Sequence, residues 1–181
     1  MPVRAALIVI DMLNPYDHED ADELADNVEP ILAPLAELIA GAREDDEIEL
    51  VYVNDNYGDF AATRDDIVRR ALDGRHPDLV EPILPPPGVA FLQKVRHSAF
   101  YSTSLDHMLR QRSIERLVLT GQVTEQCILY TALDAYVRHY RIRVAPDTVA
   151  HIDPELGDAA LRMMKRNMRV DLVDAAGCLA R

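Results

Sequence analysis

The sequence predicts an α/β protein built as a three-layer, doubly wound parallel sheet, six strands flanked by helices on both faces. Three observations predict it. Short runs of continuous apolar residues recur along the chain, stretches with helical spacing lie between most of them, and 181 residues suit one hydrophobic core.

The first run, residues 5–10, reads Ala-Ala-Leu-Ile-Val-Ile with no polar alternation, as expected of a strand buried on both faces, and it stops at Asp11. The next segment, 17–29, is crowded with carboxylates from Asp17 to Glu29 and reads as a solvated loop and helix entry. Helical spacing follows over 28–43, then a strand over 49–53 and a helix over 65–72. Residues 74–88, with Pro85, Pro86 and Pro87, read as a rigid connection into a third strand at 89–93. A helix over 104–112 leads to a strand over 116–120, and a helix over 124–139 to a strand over 141–145. The last pair is a helix over 154–168 and a strand over 170–173. Strands and helices in this alternation imply right-handed parallel crossovers, and such sheets carry their sites outside the carboxyl ends of the strands. No fixed-period repeat or linker divides the chain, so 1–181 is expected to be a single domain.

Composition narrows the function classes. A formal net charge of -12 opposes binding to nucleic acid, which needs a basic surface. No apolar run approaches the roughly 20 residues that span a bilayer, so neither a membrane nor a secretory signal is expected and the address is cytoplasmic. Two cysteines, Cys127 and Cys178, do not make a disulfide framework, which leaves a free thiol available.

Three reactive groups fall at or just beyond strand ends: Asp11, Lys94 and Cys127. Each alone has an ordinary reading, as a turn residue, a solvated strand terminus and a small buried hydrophobe. The surroundings of Cys127 change the weighting. Gly121-Gln-Val-Thr-Glu-Gln-Cys127 leaves an apolar strand and enters a helical pattern, which puts the sulfur at a helix amino end. Unpaired N–H groups, the helix dipole and a nearby ammonium are expected to lower a thiol pKa there, and the same N–H groups suit an oxyanion.

Asp11 in Val9-Ile-Asp-Met12, Lys94 in Gln93-Lys-Val-Arg-His-Ser-Ala-Phe100, and Cys127 followed by Thr131-Ala-Leu-Asp-Ala135 resemble the isochorismatase-like cysteine hydrolase superfamily. It includes nicotinamidases, carbamoylsarcosine and ureidoacrylate amidohydrolases, maleamate amidase and isochorismatases. The resemblance implies an Asp-Lys-Cys triad on a parallel sheet of order 3-2-1-4-5-6. It also implies a non-proline cis peptide at Gln122–Val123 and an oxyanion hole from the N–H groups of Val123 and Cys127. Further implications are a cofactor-free amidohydrolase acting on a small amide or ureido-type molecule through a Cys thioester, and a homo-oligomer, dimer or tetramer.

The chain departs from parts of that family. Metal-containing nicotinamidases carry Asp-x-His after the second strand, whereas here Asp55 is followed two residues on by Tyr57; His76 is the other candidate ligand, and no metal is expected. Some isochorismatases hydrolyse a vinyl ether without needing the thiol, which is the same-fold alternative; a retained cysteine favours carbonyl chemistry. Asn14, Tyr16, Tyr57, Phe60 and Tyr101 lie just beyond strand ends and are the candidate substrate-binding residues, each equally readable as a loop anchor. Arg96 reads as a surface ion pair rather than a substrate partner, Cys178 as structural, His139 as a helix-end dipole partner, and the histidines show no Cys-His dyad. A redox-sensing thiol protein is the alternative of another class, though a sensor has no use for the proton shuttle of Asp11. A dinucleotide binder is disfavoured, because Met12-Leu-Asn-Pro15 replaces the glycine-rich turn.

Overall fold

In the computed structural model, which describes residues 4–180, the apolar run at the amino end becomes β1 (Arg4–Ile10) at the centre of a sheet. The expected domain, 1–181, also includes Met1, Pro2, Val3 and Arg181, which lie outside the described residues. Every residue of β1 after Arg4 is buried because both faces are covered. Leu7 and Val9 pack on one side with Leu24, Leu35 and Leu38, while Ala6, Ile8 and Ile10 pack on the other with Leu109, Ala132 and Met164. This is why the run shows no polar alternation.

The other strands are β2 (Ile48–Asp55), β3 (Ala90–Lys94), β4 (Ile114–Gln122), β5 (Arg141–Ala150) and β6 (Asp171–Leu172). Among the described residues they form a six-stranded sheet of order β3-β2-β1-β4-β5-β6, parallel throughout. The order reverses between β1 and β4, which opens a crevice at the carboxyl ends of those two strands. Backbone pairing carries several strands past their apolar runs: β2 reaches Asp55, β3 reaches Lys94 and β4 reaches Gln122.

The helices are α1 (Ala21–Val28), α2 (Leu32–Glu44), α3 (Arg64–Leu72), α4 (Pro77–Val80), α5 (Leu105–Gln111), α6 (Leu129–Val137), α7 (Pro154–Met168) and α8 (Ala175–Cys178). Three segments differ from the sequence expectation. The acidic stretch is largely α1, because Ala21, Leu24, Ala25 and Val28 recur at helical spacing and are buried while the carboxylates face out. A 3-10 turn at Glu29–Ile31, with Pro30 near its start, separates α1 from α2, so the helix expected over 28–43 is divided. The proline-rich connection contains α4 and a second 3-10 turn, Glu81–Ile83. No helix among the described residues is long and apolar enough to cross a membrane.

Candidate active site

Where β1 ends, Asp11 turns into the left-handed region (φ 54°), and its backbone stays tied to both neighbouring strands. Its N–H donates to the Val53 carbonyl at 3.0 Å, and its carbonyl accepts from Gln122 Nε2 at 2.7 Å. The carboxylate is thereby aimed across the strand ends. Oδ1 accepts the Asp55 N–H at 2.8 Å and Oδ2 meets Lys94 Nζ at 2.8 Å. Lys94 closes β3 and is only 1% exposed; its ammonium also lies 3.5 Å from Asp55 Oδ2 and 3.7 Å from Cys127 Sγ.

Cys127 reaches this cluster because β4 runs close beside β1. A Cβ on Gly121 (φ 110°) would sit 2.1 Å from the Ile10 carbonyl oxygen, so only glycine permits that approach. The Gln122–Val123 peptide that follows is cis, at the position the family resemblance gave. The chain then makes one π-helical turn, Thr124–Ile128, closed by Ile128 N–H to Val123 O at 3.1 Å, before α6. Thr124 Oγ1 donates to the Ala150 carbonyl at 2.9 Å, and Glu125 Oε1 accepts the N–H groups of Ile152 and Asp153 at 2.9 and 3.0 Å. The turn that carries Cys127 is thus fastened to the end of β5 and the entry of α7.

Burial and the neighbouring charges act against each other at all three groups. It raises Asp11 above the ordinary 3.8, with the Lys94 ammonium opposing. Burial alone would lower Lys94, but Asp11, Cys127 and Asp55 more than offset it and hold the ammonium above 10.5. For Cys127, burial and then the Asp11 charge push the thiol up, while Lys94 and the Val123 N–H favour the thiolate less strongly. This corrects the low thiol pKa expected from the helix terminus. Burial therefore favours the protonated form of both Asp11 and Cys127, and the Lys94 ammonium opposes it at each.

Above the three groups is a cleft of about 360 Å³ lined by Asn14, Tyr57, Gln122 and Val123, with exposed Asp20 and with Leu24 and Ile152. Of the five candidate substrate-binding residues, Asn14 and Tyr57 line it. Asn14 Oδ1 accepts the Tyr16 N–H at 2.8 Å, and Tyr57 is set by its hydroxyl, which donates to the Leu13 carbonyl at 2.7 Å. Three other candidates do not line it. Tyr16 is wholly buried, edge-on to His76 in the core. Phe60 is 82% exposed, because the chain after β2 turns at Tyr57 and Gly58, both with positive φ, and carries it outward. Tyr101 is 55% exposed on the turn after β3.

Sequence reasoning missed His97, whose Nδ1 lies 3.9 Å from Cys127 Sγ, and did not assign Asp55 to this cluster. The His97 loop is held by the Ala99 N–H donating to Thr131 Oγ1 at 3.0 Å. Asp55 was detectable by the same signal as Asp11 and Lys94, a charged residue ending a strand. The metal found in some nicotinamidases does not fit the residues present. Asp55 is committed to the Tyr57 N–H at 2.7 Å and to Lys94, His76 packs on Tyr16, and no group of three ligating side chains occurs among the described residues.

Comparison with known proteins agrees with this architecture. The family model described as the isochorismatase domain matches residues 5–176. An uncharacterized isochorismatase family protein of Bacillus subtilis, YaaI, is 34% identical over 160 residues, 88% of this chain and 88% of that protein. The ureidoacrylate amidohydrolase RutB of Methylorubrum extorquens is 45% identical over 85 residues, covering 46% of this chain and 34% of its own length. Among solved structures, N-carbamoylsarcosine amidase from Thermoplasma acidophilum superposes with a TM-score of 0.71 at 30% identity, covering 96% of this chain and 97% of that one.

Proposed function

Because this chain belongs to the isochorismatase family, we propose that it hydrolyses a small amide or ureido-type substrate through a thioester on Cys127. The observation that carries the reading is the Lys94 ammonium, which bridges the Asp11 carboxylate at 2.8 Å and the Cys127 sulfur at 3.7 Å beneath the cleft.

In this reading Asp11 takes the thiol proton and the sulfur attacks the carbonyl carbon. The carbonyl electron pair moves onto oxygen, which the N–H groups of Val123 and Cys127 receive. Collapse of that intermediate breaks the C–N bond, and Asp11 returns the proton to the departing nitrogen. Asp11 then takes a proton from water, the hydroxide oxygen adds to the thioester, and the sulfur leaves and regains its proton. Lys94 keeps the carboxylate beside the sulfur throughout and offsets the negative charge as it moves between them. A redox sensor would need the sulfur but not the carboxylate held against it.

The test is ammonia release from a panel of small primary amides and ureido compounds. Cys127→Ala should lower turnover of any active member by about a thousandfold or more, with an unchanged circular dichroism spectrum. Full turnover in that variant would overturn the assignment.

A further inference from the structure

The cleft over Cys127 is lined by three carboxylates, Asp11, Asp20 and Asp55, and one ammonium, Lys94. From this imbalance we propose that the site selects amides carrying no negative charge, which places ureido acids outside its substrate class. The substrates named rest on the amidohydrolase reading above; the charge selection does not.

The one ammonium is already committed. Lys94 Nζ has Asp11 at 2.8 Å, Asp55 at 3.5 Å and the sulfur at 3.7 Å, and the residue is 1% exposed, so a substrate carboxylate has no open side of it to approach. No arginine is among the described residues that line the cleft. The arginine stacked on its wall, Arg70, lies 4.9 Å from the Tyr57 ring centroid and is paired with Asp17 at 3.3 Å. Arg75 is likewise paired with Asp22. The acidic segment before and within α1 therefore neutralises the nearby guanidinium groups and adds Asp20 to the cleft lining. Arg96 is exposed on the loop after β3 and is not a lining residue. Of the imidazoles, His18 Nε2 faces the Asn14 amide nitrogen at 3.5 Å and His97 Nδ1 faces the sulfur at 3.9 Å. Inside a low-dielectric cleft, unmatched like charges are costly, and the net charge of -12 extends the same repulsion to approaching anions.

Iodoacetamide and iodoacetate test the cleft directly, since they are nearly isosteric and differ by one charge. Either alkylates Cys127 as the thiol proton passes to Asp11 or solvent, the S–C bond forms and iodide leaves. Peptide mass mapping gives the two rates at Cys127, and dividing their ratio by that for free cysteine removes the reagents' intrinsic difference. The expected normalised preference for iodoacetamide is about tenfold at low ionic strength, shrinking with added salt and in Asp20→Asn. Asp20 is exposed and its side chain makes no capping bond to α1, so the substitution spares the fold. A normalised ratio of one or less, or no change in Asp20→Asn, overturns the proposal. A second arm compares succinamide with succinamate, and the neutral amide should have the higher kcat/KM by a similar factor. If the alkylation preference holds while no amide releases ammonia, charge selection stands and the amidohydrolase reading falls. Cys127-dependent ammonia release with equal or faster cleavage of succinamate does the reverse.

Discussion

In the proposed mechanism Asp11 is the base, in a place where burial favours its neutral form, and the direction of that effect sets how activity should respond to pH. Its pKa is raised above 3.8 even with Lys94 beside it. A base acts only when ionised, so kcat/KM should fall as pH drops through this raised value, and the acid limb should lie above 3.8. Asp11→Asn should remove the limb together with the activity, a loss of about a hundredfold to ten-thousandfold. A pH profile of kcat/KM on any amide that is turned over checks both. An acid limb at the ordinary carboxylate position, or an Asn variant of undiminished rate, would remove Asp11 from the proton path.

The segment from β4 through the π-helical turn into α6 places the sulfur, and Gly121 is the point at which it is least tolerant. A methyl group there would meet the Ile10 carbonyl oxygen at 2.1 Å and the Ile10 nitrogen at 2.9 Å, both rigid backbone of the central strand. Gly121→Ala should therefore cost about 3 kcal/mol or more in a urea titration. Gly58→Ala, at φ 79° with nothing within 4 Å, should cost only about 1 kcal/mol. Equal losses would mean that backbone conformation, not close approach, is what Gly121 supplies. Such local features explain what could be read in advance. The apolar runs and the charged residues that end them are adjacent in sequence, so the sheet and the positions of Asp11, Lys94 and Cys127 were legible together. The helix hidden in the acidic stretch was obscured because carboxylate density outweighed the spacing of Ala21, Leu24, Ala25 and Val28. The thiol pKa went the other way because the helix terminus is local, whereas the burial that opposes it comes from the whole crevice. His97, Phe60 and Tyr101 depend on the course of loops, which residue type does not encode.

At the scale of the whole molecule, 31 acidic residues face 19 lysines and arginines. Several of the pairs that form span a single helical turn, Arg69 with Asp66 and Arg110 with Asp106 at exposed positions and Arg138 with Asp134 half-buried, and such surface pairs contribute little each. The Lys94–Asp11 pair is buried and poorly screened by salt. What salt chiefly changes is the repulsion among the surplus carboxylates, which opposes the compact state. Raising ionic strength from about 0.01 M to about 0.15 M shortens the Debye length from about 30 Å to about 8 Å. The melting temperature should then rise, by on the order of 2 °C for a chain of this size if about 1 kcal/mol of repulsion is relieved. A fall would mean that the surface pairs outweigh the surplus. Over the same range the iodoacetamide preference at Cys127 should shrink, since surface repulsion contributes to both. It should not vanish, because Asp11 and Asp55 lie within the crevice, where screening reaches least.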